Sequence, residues 1–310
     1  MPSNKVRDAL LGMAAGDALG VPHEFRPRHE LERFPVTGMD SSGTWNQAAG
    51  TWSDDSSLAF CLAETLSHGY DLRDLADRFI ACMDNGYWTA RGSVFGMGRA
   101  TEAAIDRLRS GDCHPANAGL KREQDNGNGS LMRILPAVFH VRFRAPAERA
   151  WIVSELSSVT HGHRRSQIAC IIYVEIALRL LAGDSIRAAY RDAVADLSVA
   201  LSGEPEAARF QRILSGSIVG LDQQDVLSTG YVVDTLEAAL WALLSTSDYR
   251  SAALAAVNLG GDTDTVAAVA GGLAGIAYGA EGIPADWLAS LARLDDIEGL
   301  AARLAAATGY

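Results

Sequence analysis

Several things are scarce in this sequence, and each scarcity narrows what the protein can be. Aromatic residues make up 7% of the 310 positions and charged residues 21%, while 48% are hydrophobic. Small aliphatic side chains rather than large rings must therefore fill the core, and the chain is too apolar for disorder. There are only four cysteines, Cys61, Cys82, Cys113 and Cys170, with no C-x-x-C pair among them. That leaves no disulfide framework or thiolate metal knuckle, and each reads as a small buried hydrophobe. No apolar signal segment follows Met1, so a reducing cytoplasm is the expected setting. Basic residues number 27 against 38 acidic ones, a net charge of -11, which repels polyphosphate and removes nucleic acid from the expected partners. The most apolar stretch, 168–182, carries Glu175 and Arg179, so no bare membrane span is present. Nor is there a fixed-period repeat or a composition shift, and one domain over 1–310 is expected, as a monomer.

Strand-type alternation is almost absent. Apolar residues instead return at spacings of three and four, which predicts an all-α fold. The clearest helical stretches are 5–19, 56–67, 72–83, 100–109, 131–141, 147–159, 165–182, 185–201, 232–244, 249–258, 265–278 and 284–307. Gly69, Gly111, Gly183, Gly220 and Gly230 fall between them as helix stops. Glycines at 271, 275 and 279 lie four apart and imply a tight helix contact. Two long loops, 22–51 and 111–129, are of the length that usually carries function. Of the six tryptophans, Trp52 and Trp88 stand beside candidate site segments and the others read mostly as core.

Two acidic pairs stand out. In Gly50-Thr51-Trp52-Ser53-Asp54-Asp55-Ser56 two carboxylates follow a hydroxyl residue at a helix start, where plain N-capping is one sufficient explanation. In Asn258-Leu259-Gly260-Gly261-Asp262-Thr263-Asp264-Thr265 two carboxylates and a hydroxyl sit at a second helix start. The glycines before them permit close backbone approach, and the i, i+2 spacing lets both carboxylates turn to one point. Four carboxylates brought together repel one another and raise each other's pKa unless divalent cations neutralise them. Oxygen-only ligands select magnesium, manganese or calcium over zinc. A third segment, Asn126-Gly127-Asn128-Gly129-Ser130-Leu131-Met132-Arg133, sets a glycine-rich turn before a helix, a pattern open to a phosphate or to simple capping.

With Leu11-Gly12-Met13-Ala14-Ala15-Gly16-Asp17-Ala18-Leu19-Gly20 and Gly230-Tyr231-Val232-Val233-Asp234-Thr235-Leu236-Glu237-Ala238-Ala239-Leu240 added, the sequence resembles the ADP-ribosylglycohydrolase family along almost its whole length. The resemblance implies a helical domain with a two-magnesium cleft, manganese being a substitute, in which an ADP-ribosyl group is hydrolysed from its acceptor. By position it implies Ser53, Asp54, Asp55, Asp262, Asp264 and Thr265 as metal ligands, with Ser53 standing where the family usually has threonine. Glu24 matches a mobile family glutamate, and Asp55 and Glu24 are the candidate catalytic residues for the water's proton. Asp17 is expected to support the site as a hydrogen-bond acceptor. Gly127, Asn128, Gly129, Ser130, Met132 and His161 match the ADP-ribose-binding positions, with Arg133 neutralising the diphosphate or bracing the loop. His163 has no carboxylate at ligand spacing in sequence and reads as a surface or core-edge residue. Gly96 stands where some members carry an aspartate, which leaves Phe95 and Met97 to wall the acceptor pocket. The implied partner is an ADP-ribosylated protein, arginine-linked in first place, with serine-linked or small ADP-ribosyl compounds as alternatives. A catalytically silent ADP-ribose-binding relative is the contrasting expectation.

Overall fold

Fifteen α-helices and a set of short 3-10 segments supply the regular structure in the computed structural model, which describes residues 4–310, and only isolated bridges occur besides them. The all-α architecture expected from periodicity is the one observed. At its centre lie two antiparallel helices from the two ends of the chain, Lys5–Gly20 and Thr263–Tyr278. Their closeness follows from glycine. A Cβ on Gly12 would stand 2.4 Å from the Gly271 carbonyl oxygen, one on Gly16 2.1 Å from that of Ala267, and one on Gly275 2.2 Å from that of Asp8. Side chains at these positions would force the backbones apart.

Around this pair the remaining helices bury their apolar faces. Leu294–Thr308 packs on Asp54–His68, while Val232–Leu244 and Tyr249–Val257 cover the flank of Thr263–Tyr278. Pro146–Ser158, Arg164–Leu181 and Ile186–Ala200 stack in succession. Leu10, Leu11, Met13, Leu19 and Leu273 are all but sealed from solvent, each such burial contributing about 1.5–3 kcal/mol. No helix among the described residues is long and apolar enough to cross a membrane. All four cysteines are unbridged, and only Cys113 is not fully buried.

Two predicted helices are shorter than periodicity suggested. The 131–141 stretch is helical only over Ala137–Val141, because Pro136 lacks an N–H to continue a helix from below. The 284–307 stretch splits into Ala285–Ser290 and Leu294–Thr308. At the break Arg293 adopts φ 50° and its guanidinium lies 4.7 Å over the Trp88 ring, while the Ala292 N–H donates to the Gly50 carbonyl at 2.9 Å. The loop 22–51 holds a short helix, Arg28–Arg33.

Candidate active site

The antiparallel pairing has a direct chemical result. It sets the end of Lys5–Gly20 against the start of Thr263–Tyr278, where a Cβ on Gly20 would lie 2.3 Å from the Asp264 Cα. The chain leaving Gly20 thus carries Glu24 up to Asp262 and Asp264, and carboxylate oxygens of these three residues lie within 4.8 Å of one another. The loop and the glycine turn are stitched together by backbone bonds, Phe25 N–H to Gly261 O at 2.6 Å and Gly261 N–H to Arg26 O at 2.9 Å. Gly260 and Gly261 both hold φ above +70°, and a Cβ on Gly261 would sit 2.3 Å from the Ser228 carbonyl.

The first acidic tip, at the start of Asp54–His68, is anchored by Lys5–Gly20. Asp17 accepts from Ser53 N–H at 2.9 Å, from Ser56 N–H at 3.0 Å and from the Ser56 hydroxyl at 2.6 Å. It therefore acts as an external cap for Asp54–His68, and Ser53 adds its own cap by accepting from Asp55 N–H at 3.2 Å. Asp54 and Asp55 are carried into the cleft that Glu24, Asp262, Asp264 and Thr265 also line, a space of about 1090 Å³.

Electrostatically this arrangement is uncomfortable when left to itself. Burial, reinforced by the neighbouring carboxylates, drives Asp54, Asp55 and Asp264 well above the usual aspartate range. Burial pushes Glu24 up to about 7 against the pull of the Trp45 indole, with Asp262 and Asp17 adding repulsion. Asp17 is raised to about 6 by burial, its bonds from Ser56 and Ser53 opposing the rise. Asp55 Oδ2 is buried without any hydrogen-bond partner. Convergent buried carboxylates with an orphaned oxygen are the donor set that a hard divalent cation requires.

On the same cleft wall, the glycine-rich segment pairs with the 230–232 strip through Asn128 N–H to Gly230 O at 3.1 Å and Val232 N–H to Asn126 O at 3.0 Å. Gly127, Asn128, Gly129, Met132 and His161 line the cleft. The Asn128 amide donates to Asp262 at 2.8 Å and to Thr235 Oγ1 at 2.9 Å, so one residue joins this loop to the acidic cluster. Gly129 is required by sterics, since a Cβ there would lie 2.7 Å from the His161 ring. His161 is kept neutral, its pKa lowered to about 3 by burial and by Arg133. Arg133 donates to Thr160 Oγ1 at 2.8 Å, and Thr160 meets His161 Nδ1 at 2.9 Å. With the hydroxyl's proton turned to Nδ1, that network assigns the ring's own proton to Nε2, beside Gly127.

Several expectations need correction. Ser130 does not line the cleft; its hydroxyl accepts from Ser157 at 2.9 Å and touches Cys170 in a fully buried setting. The Ser53 hydroxyl accepts from the Asp55 N–H, a cap that uses one of its two lone pairs. Arg133 is sealed in the core, with its guanidinium 4.7 Å over Phe79, so it braces Thr160 rather than facing a diphosphate. The arginines that do line the cleft are Arg99 and Arg122, the latter paired with Asp125 at 2.8 Å, and sequence reasoning missed both. Trp52 and Trp88 pack on Phe60 in the core, and the tryptophan at the site is Trp45, whose indole N–H donates to Glu24. His163 has carboxylate neighbours after all, Glu123 and Glu206, although both already pair with Arg165.

The comparisons with known proteins agree with this geometry. The family model described as ADP-ribosylglycohydrolase matches residues 2–310. The chain belongs to the ADP-ribosylglycohydrolase family. It is therefore an enzyme of a hydrolase class. Among similar proteins of this family, ADP-ribosylarginine hydrolase Tri1 of Pseudomonas putida (strain GB-1) is 35% identical over 305 residues, covering 97% of this chain and 78% of the relative. ADP-ribosyl-[dinitrogen reductase] glycohydrolase of Rhodospirillum rubrum is 28% identical over 285 residues, covering 91% and 88%. A solved structure described as an ADP-ribosylglycohydrolase-related protein complex superposes with a TM-score of 0.81 at 31% identity, covering 99% of this chain and all of the other.

Proposed function

We propose that this ADP-ribosyl glycohydrolase removes mono-ADP-ribose from modified arginine on proteins, with two magnesium ions bound at the acidic cluster. The observation that carries it is the meeting of Asp54, Asp55, Glu24, Asp262 and Asp264 in the cleft that the glycine-rich loop also lines. Asp54, Asp55, Asp262, Asp264 and Thr265 would hold the ions, with Ser53 as the cap that fixes their approach. Bound there, divalent cations supply neutralising charge and an activated water.

The remaining tasks fall to this chain's own groups. Backbone N–H groups at Gly127 and Gly129, with Met132 and with Asn128 holding the loop to Asp262, embrace the ribose and diphosphate. Arg99 and Arg122 offset the diphosphate charge, and the His161 Nε2–H donates to the ligand beside Gly127. Water adds at the anomeric carbon, the bond to the acceptor nitrogen breaks, and the guanidine leaves with its proton restored. Asp55 and Glu24, both lining the cleft, are the candidates to take the water's proton. ADP-ribosylated protein and small ADP-ribosyl compounds fit the same cleft chemistry, and arginine is preferred because the Pseudomonas relative is named for that acceptor.

Incubation of ADP-ribosylarginine protein with magnesium should release free ADP-ribose, and chelation should stop it. A Glu24→Gln variant that loses turnover while keeping magnesium and ADP-ribose affinity marks Glu24 as the base, and a fully active Glu24→Gln leaves that role to Asp55. A parent protein inert on arginine-linked, serine-linked and small substrates would leave only ligand binding to this fold.

A further inference from the structure

We infer that the aromatic side of the cleft, formed by Phe25, Trp45 and Phe95, seats the departing acceptor and selects a planar delocalised cation, the guanidinium of arginine. This rests on the hydrolase function proposed above and names the residues that choose its substrate.

The three rings adjoin as a faceted shelf, with centroids 6.4 Å apart and planes inclined 60° for Phe25 and Trp45, and 5.5 Å and 43° for Trp45 and Phe95. All three line the cleft beside the carboxylates. Trp45 is tied to the acidic cluster by its indole N–H to Glu24. Phe95 is held there by its neighbour Gly96, whose missing side chain lets the segment cross Asp54: a Cβ would stand 2.7 Å from Asp54 Oδ1. The shelf thus adjoins the carboxylates directly, while the ADP-ribose loop joins them through Asn128 and Asp262. A leaving group must depart between those two attachments.

Phe25 is the most telling member. The residue is 66% exposed, so it contributes little to the core, yet its backbone sits at φ 64°, where a phenylalanine is strained and glycine would be at ease. The bond from Phe25 N–H to Gly261 holds it there. Folding alone gives no reason for a bulky ring at that position. A ring face does give one: it attracts a guanidinium, which stacks flat upon it, whereas a serine hydroxyl has neither the charge nor the plane to profit.

The test compares Phe25→Gly and Phe25→Tyr with the parent on ADP-ribosylarginine and ADP-ribosylserine peptides. Phe25→Gly should raise KM for the arginine substrate about tenfold, with kcat, ADP-ribose affinity and serine-peptide KM all within about twofold and no loss of Tm. Phe25→Tyr should restore the parent KM. An unchanged arginine KM, an equal rise for both peptides, or a parent active on serine alone would overturn the assignment. Calorimetry with methylguanidinium on the protein loaded with magnesium and ADP-ribose reads the same shelf without turnover. Binding that Phe25→Gly weakens, in a parent that hydrolyses nothing, would sink the hydrolase function and leave the shelf standing; absence of binding would overturn the shelf.

Discussion

The two acidic tips reach the same cleft by opposite local means. At Asp54–His68 the helix start is capped twice, by Ser53 and by Asp17 from another helix, so its geometry is fixed with imported hydrogen-bond acceptors. At Thr263–Tyr278 the N-cap residue Asp262 makes no capping bond, and Asp264 accepts from the Thr265 N–H at 2.9 Å. The turn before it relies on two left-handed glycines, and Asp262 spends its carboxylate outward on Asn128. The first tip depends on a charge placed far away in sequence and the second on the absence of two methyl groups. Similar acidic chemistry at two helix starts therefore has unlike points of failure.

The sharpest way to probe the comparison is to remove one carboxylate of the second tip without changing its shape. Asp264→Asn should lower turnover by at least about a hundredfold, and in chelator it should also raise Tm. The sign follows from linkage: the folded-state pKa of Asp264 lies above the ordinary value, so the native state binds the extra proton and loses stability as pH rises past that ordinary value. The gain of the Asp264→Asn variant over the parent should therefore be absent near pH 3, grow above about pH 4, and shrink again when magnesium is added. A Tm gap that stays flat with pH would show that the carboxylates do not repel as described.

Next come the two points of failure themselves. Asp17→Asn keeps the size but replaces one acceptor oxygen with an amide, and should cost about 1–3 kcal/mol while weakening magnesium binding at Asp54 and Asp55. Gly261→Ala meets both a strained φ and the Ser228 carbonyl, and a comparable loss of about 1–3 kcal/mol is expected. Urea titration of both variants checks this, and a Gly261→Ala as stable as the parent would erase the contrast between the tips. The smallest effect belongs to Ser53→Ala, about 1 kcal/mol for a lost cap, with Ser53→Thr close to neutral in the same titration.

Both tips were legible in the sequence because their features are local. Carboxylate pairs next to glycine, serine or threonine announce a loop meeting a helix, and periodicity announced most helices. What stayed hidden depended on partners far along the chain. Nothing in the neighbourhood of Ser130 reveals that Ser157 will claim its hydroxyl, and Arg133 looks like a phosphate ligand until Phe79 and Thr160 enclose it. Trp45 lies 21 positions from Glu24, inside a loop whose path no periodic pattern describes. Glu123 and Glu206 were out of sight of His163 for the same reason. The split at Arg293 was likewise invisible, since helical periodicity continues through it and the turn is held by distant partners, Gly50, Trp88 and Thr89.

The interlocked glycine helices also set a schedule for biosynthesis. Lys5–Gly20 leaves the ribosome well before its partner Thr263–Tyr278, Gly20 and Thr263 being 243 positions apart. Until that late segment emerges, the early helix has no mate for its glycine face and the cleft lacks Asp262, Asp264 and Thr265 altogether. The nascent polypeptide is thus inert until that segment is made, and the acidic cleft is completed in one step.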